Sequence, residues 1–189
     1  MNKELANIHA ALSEVFEGIQ SLRKGLDEQA EAIEHFIKLL LHAPKIYAYG
    51  AGRSGLISAK PFVMRLRHLG LEAYSVGDVE VPGLTEGDLL VVMSTSGTSA
   101  VPLLIAEQGK ALGAKLALIT GNRHAPLAKG VDVVIEIKGQ AQTQKKFLLL
   151  NSLLEQLSLI FLDAVTVELK NRLEVTEDQL RKRHANLDI

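Results

Sequence analysis

Two loops rich in glycine and hydroxyl groups hold the residues of this sequence that are best suited to chemistry. Gly50-Ala51-Gly52-Arg53-Ser54-Gly55 follows the apolar run Lys45–Tyr49, and Ser94-Thr95-Ser96-Gly97-Thr98-Ser99 follows Asp88–Met93. In the second loop Ser94, Ser96, Thr98 and Ser99 offer four hydroxyls, Gly97 lets the chain turn, and a helical pattern opens near Ala100. Pro102 fits there because it falls in the first helical turn. Hydroxyls, loop amides and a helix N-terminus together suit a small dianion such as a phosphate. A Ser/Thr-rich turn that only caps a helix would be spelled the same way.

The first loop also fits a dinucleotide fingerprint, with Gly50, Gly52 and Gly55 at G-x-G-x-x-G spacing and Asp78 about 20 residues further on. Against that reading, Gly77 separates Asp78 from the preceding strand pattern, and a dinucleotide leaves the 94–99 hydroxyls without a purpose. A phosphate monoester ranks first and a dinucleotide second.

For both loops to meet one ligand, the elements behind them must be neighbours. Lys45–Tyr49, Glu72–Val76, Asp88–Met93, Lys115–Thr120 and Asp132–Ile137 are short, mostly continuous apolar runs, as expected of strands covered on both faces. Helical patterns at about Ser54–Leu69 and Ala100–Leu112, and a turn near Pro126–Lys129, separate them. The alternation predicts an α/β three-layer sandwich around a five-stranded parallel sheet of flavodoxin-like type. In a 2-1-3-4-5 strand order the first and third strands are adjacent, and both loops leave at the switch point where ligands bind. Pro61 falls inside the expected 54–69 helix, at a cost of about 3 kcal/mol unless the helix bends.

A helical arm precedes the sheet, with Leu5, Ile8, Leu12, Val15, Ile19, Leu26, Ile33, Phe36, Ile37 and Leu40 at helical spacing and a break expected at Gly25. Two helices close the chain, at about Phe147–Asn171 and Thr176–Arg183, the second with Thr176 and Gln179 at capping-box spacing. The expected organisation is one domain over 1–189: arm 1–42, sheet core 45–138, C-terminal helices 147–189.

Glu155 stands in the apolar stretch Phe147–Leu162. Glutamate is almost never fully buried unpaired, so it is expected in a cleft, in an ion pair or at an interface, the plain alternative being an exposed helix position. A helix apolar nearly all round needs cover on several sides, which predicts a homo-oligomer. Arg53 could meet sugar or phosphate oxygens, or pair with Asp78 or Glu80. His68, late in its helix before Gly70, suits a helix C-terminus. Lys145 and Lys146 are expected in solvent near the crevice.

Composition narrows the function further. The 21 basic and 22 acidic residues nearly cancel, leaving no electrostatic footprint for nucleic acid or an anionic membrane. Absence of cysteine removes disulfides, thiol catalysis and cysteine metal sites. None of the six histidines pairs with another at i, i+4, so no metal is expected. The most apolar stretch contains Asn151, Glu155 and Gln156 and is too short and polar for a membrane span. The first 19 residues lack a signal-peptide core. A soluble cytoplasmic protein is expected.

Taken together, "GAGRSG", "MRLRHLG", "STSGTS", "LLEQ" and "RHANL" resemble the sugar isomerase (SIS) domain family, and within it the 6-phospho-3-hexuloisomerases, over nearly the whole chain from Lys45 to Leu187. The resemblance implies a cofactor-free isomerase interconverting 3-hexulose 6-phosphate and fructose 6-phosphate, as in the ribulose monophosphate route of formaldehyde fixation. It implies a phosphate loop of Ser94, Thr95, Ser96, Gly97, Thr98 and Ser99, with Gly52, Arg53 and Ser54 as further substrate contacts. Glu155 falls on the family's proton-transfer glutamate and His184 on its C-terminal histidine, which a neighbouring subunit can supply in a dimer of dimers. Ser99 stands where Thr is usual, Thr98 where Glu is common, and Ala125 where a Ser-Pro is usual. The segment before Glu155 lacks the glycine typical of relatives. Two alternatives remain: another SIS isomerase, such as one for arabinose 5-phosphate, or a non-catalytic sugar-phosphate sensor.

Overall fold

The computed structural model describes residues 5–138 and 147–185. The elements are α1 (Ala6–Gly25), α2 (Ala30–His42), β1 (Ile46–Gly50), α3 (Lys60–Leu69), β2 (Ala73–Ser75), β3 (Leu89–Met93), α4 (Ala100–Ala111), β4 (Lys115–Thr120), β5 (Val133–Glu136), α5 (Ser152–Arg172) and α6 (Glu177–Arg183). The five strands are parallel in the order β2-β1-β3-β4-β5. Gly50 pairs in register with Met93, so the two loops leave adjacent strands at the same level.

Alternate strand residues feed two apolar layers. Ile46, Ala48, Leu89, Val91, Ala117 and Ile119 join Phe36, Leu40, Phe62, Leu66, Leu157 and Phe161 of α2, α3 and α5. Tyr47, Leu90, Val92, Leu116 and Leu118 meet Ala106 of α4 and Leu127 of a short 3₁₀ turn. Cover on both faces explains why the strands read as unbroken apolar runs. At the sheet margin the Gln29 side chain stands in for a missing strand. Its Nε2 donates to the Glu136 carbonyl at 3.0 Å, and its Oε1 accepts from the Glu136 amide at 2.8 Å. Both backbone groups of that edge residue are thereby satisfied.

α1 packs along α5 rather than on the sheet. Gly18 permits the approach: a Cβ there would lie 2.9 Å from Leu153 Cδ1 and 3.1 Å from Leu157 Cδ1. The break in the arm falls just after Gly25, where one 3₁₀ turn, Asp27–Gln29, leads into α2.

Pro61 lies, as expected, inside one helical run, residues 53–69, and that run widens just ahead of it: Gly55–Ala59 form a π-helical turn in which the Lys60 amide reaches the Gly55 carbonyl, and regular α3 starts at Lys60. Such a local departure from the i→i−4 ladder is where a helix accommodates a proline. One expectation changes. The long C-terminal helix starts at Ser152, not near Phe147. Leu150 takes a left-handed φ of 52°, which no helix continues through. The Phe147 and Leu148 amides donate to Glu14 Oε2 of α1, at 2.7 and 2.9 Å, instead of entering a helix.

Candidate active site

The G-x-G-x-x-G spacing has a packing cause. A Cβ on Gly55 would stand 2.3 Å from the Gly50 carbonyl oxygen, and one on Gly50 would stand 2.7 Å from the Gly55 nitrogen. The end of β1 and the first turn before α3 touch backbone to backbone, which only a glycine pair allows. Gly52 between them takes a φ of 56°. Asp78, the acid that the dinucleotide reading needs, is turned to Lys60 at 2.7 Å on the surface. We expect Gly55→Ala to lower unfolding free energy by about 2–3 kcal/mol through overpacking; urea titration measures it, and an unchanged midpoint would contradict the close contact.

The second loop folds on its own hydroxyls. Ser94 Oγ accepts from the Gly97 amide at 3.2 Å, and Ser96 Oγ accepts from the Thr98 amide at 3.3 Å and the Thr98 hydroxyl at 3.0 Å. Gly97 turns at φ 63°, with Ala125 Cβ only 2.4 Å from where its own Cβ would be. Ser99 occupies the N-cap of α4, yet its side chain caps no helix amide. The hydroxyl is therefore not spent on the cap that a merely structural turn would form.

Between the loops and the start of α5 lies a cavity of about 220 Å³ lined by Ala51, Arg53, Ser54, Met93, Ser94, Thr95, Ser96, Ser99, Asn151 and Glu155. Gly52, Gly97 and Thr98 shape the loops without lining it. Glu155 is only 6% exposed. Its Oε1 accepts from Arg53 Nε at 3.2 Å, while Arg53 stays half-exposed. Its backbone carbonyl accepts from Ser58 Oγ at 3.2 Å, tying α5 to the turn before α3. The carboxylate also lies in the first turn of α5, where the positive end of the helix dipole favours negative charge. The buried carboxylate is thus paired and faces a polar cleft, two of the settings the sequence suggested, and its partner is Arg53, which pairs with Glu155 rather than with Asp78 or Glu80.

Asn151 is a lining residue that sequence reasoning missed. Extending α5 back to Phe147 made it an interior helix position, whereas it is the residue just before α5, one turn before Glu155. No letter pattern marks it; only the corrected helix start does.

His184 is not brought to Glu155 within the chain. α6 is fixed by the Thr176–Gln179 capping box and by Arg183 Nη1 donating to the His68 carbonyl at 3.2 Å. His184 then stacks on His68, with ring centroids 5.2 Å apart. Both histidines line a separate cavity of about 520 Å³ with Arg65, Thr166, Val167, Lys170, Leu180 and Arg181. Thr166 lies 11 residues beyond Glu155 on α5, roughly 16 Å along the axis at the α-helical rise. Burial lowers the pKa of His68, and positive charge on His184 and Arg65 lowers it further. His184 Nδ1 sits 2.9 Å from the Ala185 carbonyl. A bond there places the neutral ring's proton on Nδ1 and leaves Nε2 as the acceptor. Lys145, Lys146, Asn186 and Leu187 lie outside the described residues.

The SIS domain family matches residues 39–165. An uncharacterized protein of Archaeoglobus fulgidus is 40% identical over 94% of this chain and 98% of its own length. The 3-hexulose-6-phosphate isomerase of Bacillus subtilis is 35% identical over 86% of this chain and 88% of its own. Among solved structures, a hypothetical protein of Methanococcus jannaschii, whose fold was read as inferring a 3-hexulose-6-phosphate isomerase, superposes with a TM-score of 0.85. It is 32% identical, over 93% of this chain and 98% of that one.

Proposed function

The chain belongs to the SIS domain family, and from that premise we propose that it is a sugar-phosphate isomerase interconverting 3-hexulose 6-phosphate and fructose 6-phosphate. The observation that carries the reading is the buried Glu155 carboxylate facing the hydroxyl loop across one polar cavity at the switch point of the sheet.

In the proposed reaction the phosphate is held by Ser54, Ser94, Thr95, Ser96 and Ser99, with Gly52, Gly97 and Thr98 setting the loop shapes. This remote binding energy positions the sugar for the step at C2 and C3. Glu155 removes the proton from C2, the electrons form the C2–C3 ene-diol, and the same carboxyl returns the proton to C3. The O2 proton is lost and one is gained at O3, so the carbonyl moves from C3 to C2 with no net change in atoms. Arg53 engages Oε1, which leaves Oε2 for the proton and puts a guanidinium beside the oxygens where charge develops.

His184 supplies the acid–base group for the sugar oxygens from a neighbouring subunit, since within one chain it faces a different cavity. A homo-oligomer, a dimer of dimers by the family resemblance, is supported by an exposed apolar stripe made of Leu5, just before α1, and Ile8, Leu12 and Phe16 on it. Val167, beside the histidine cavity, is 60% exposed. The chain acts as a single domain in the cytoplasm on this reading. Among the described residues no helix is long and apolar enough to cross a membrane.

The test is direct. Purified protein given 3-hexulose 6-phosphate should form fructose 6-phosphate, and arabinose 5-phosphate should not be converted at a comparable kcat/KM. Conversion of the aldose alone, or tight binding without turnover, would replace this reading with one of its alternatives.

A further inference from the structure

We propose that Glu14, in the N-terminal arm, is a positioning residue for the carboxylate site, fixing where α5 begins and so where Asn151 and Glu155 stand. Glu14 is only 5% exposed, although it sits on a helix whose neighbouring face is open to solvent. Its Oε2 alone accepts both the Phe147 and the Leu148 amides. A carboxylate taken out of water for two backbone amides is a costly arrangement unless those bonds are made. Charge-assisted bonds of this kind are correspondingly strong.

The segment so held is the one that most needs holding. It leads through Leu150, at a positive φ, to Asn151 and then to the first turn of α5. Ser152 donates back to the Leu149 carbonyl at 3.1 Å and Glu155 to the Asn151 carbonyl at 3.1 Å, so a shift at Phe147 and Leu148 is passed on to the site. One turn further along α1, Gly18 lies against Leu153 and Leu157, so α1 follows α5 past its first turn. The Glu14 bond and the Gly18 contact are two points on one rigid element, which together define the axial position of α5. Glu14 lies outside residues 39–165, the span matched by the family, so the family pattern does not supply this role.

Because both bonds end on one oxygen, the chemistry separates clamp from charge. Glu14→Gln keeps an isosteric carbonyl oxygen for both amides, and Glu14→Leu keeps the size and removes the acceptor. In hydrogen exchange followed by mass spectrometry, we expect the 147–156 segment of the Leu variant to lose protection while the core strands keep theirs, and the Gln variant to stay close to wild type. This readout needs no turnover, so it stands whether or not the isomerase reading on which the kinetic role rests is correct. Given that activity, assayed well below the melting temperature, the Leu variant should lose about 10- to 100-fold in kcat, as misplacement of a reacting group by an ångström does. Its KM should move little, because the phosphate loops are untouched, and the Gln variant should recover most of the rate. Unchanged exchange at 147–156 in the Leu variant would overturn the proposal. So would a wild-type kcat in that variant, or an equal loss in the Leu and Gln variants.

Discussion

Glu155→Gln is expected to lower kcat for 3-hexulose 6-phosphate by about 10³-fold, within the range that a positioned acid–base group supplies. The amide keeps the volume of the side chain and an oxygen that can accept from Arg53 Nε, so the 3.2 Å contact and the packing of the first turn of α5 survive. What it loses is a group able to take and return a proton. KM should stay within about threefold, since the phosphate contacts come from the two loops and uniform binding is unaffected. Steady-state kinetics and a melting curve on the same preparation check both halves. A variant that retains more than about a tenth of the wild-type kcat with an unchanged melting temperature would move the base away from Glu155.

Mixing two inactive variants should restore activity. If His184 reaches Glu155 only from another subunit, Glu155→Gln and His184→Ala each disable every site in their own homo-oligomer. Hybrids formed by random exchange contain sites with both wild-type residues. About a quarter of the wild-type rate should return after co-expression or slow remixing, the statistical share of such sites in a symmetric assembly. The expectation rests on geometry: His184 stacks on His68 in a cavity that reaches α5 at Thr166, roughly 16 Å along the helix from Glu155. Absence of any recovery, with hybrids verified by mass, would return His184 to a structural role at the C-terminal end of α3.

Much of the architecture could be read from the letters because local chemistry dictates it. Five short apolar runs separated by helical patterns require a parallel sheet covered twice, and the observed order β2-β1-β3-β4-β5 follows. Thr176 and Gln179 form the capping box that their spacing announces. Ser94, Ser96, Ser99 and Ser54 gather on one cavity because Gly50 and Met93 end neighbouring strands in register. The glycine motif was visible but ambiguous, since the same spacing serves a pyrophosphate or a close backbone contact.

Distances between segments far apart in sequence were settled only by the tertiary structure. Nothing near Glu155 names Arg53 as its partner, 102 residues away. Nothing near Phe147 reveals that its amide is claimed by Glu14, 133 residues earlier, and without that bond the helix reads as starting too soon and Asn151 disappears into it. The sequence determined by itself which segments are strands and helices and which loops carry the hydroxyls, because pattern, propensity and caps act over a few residues. Which carboxylate meets which guanidinium, where α5 starts, and that His184 turns away from Glu155 to His68 were decided by packing, because long-range contacts depend on how whole elements fit together.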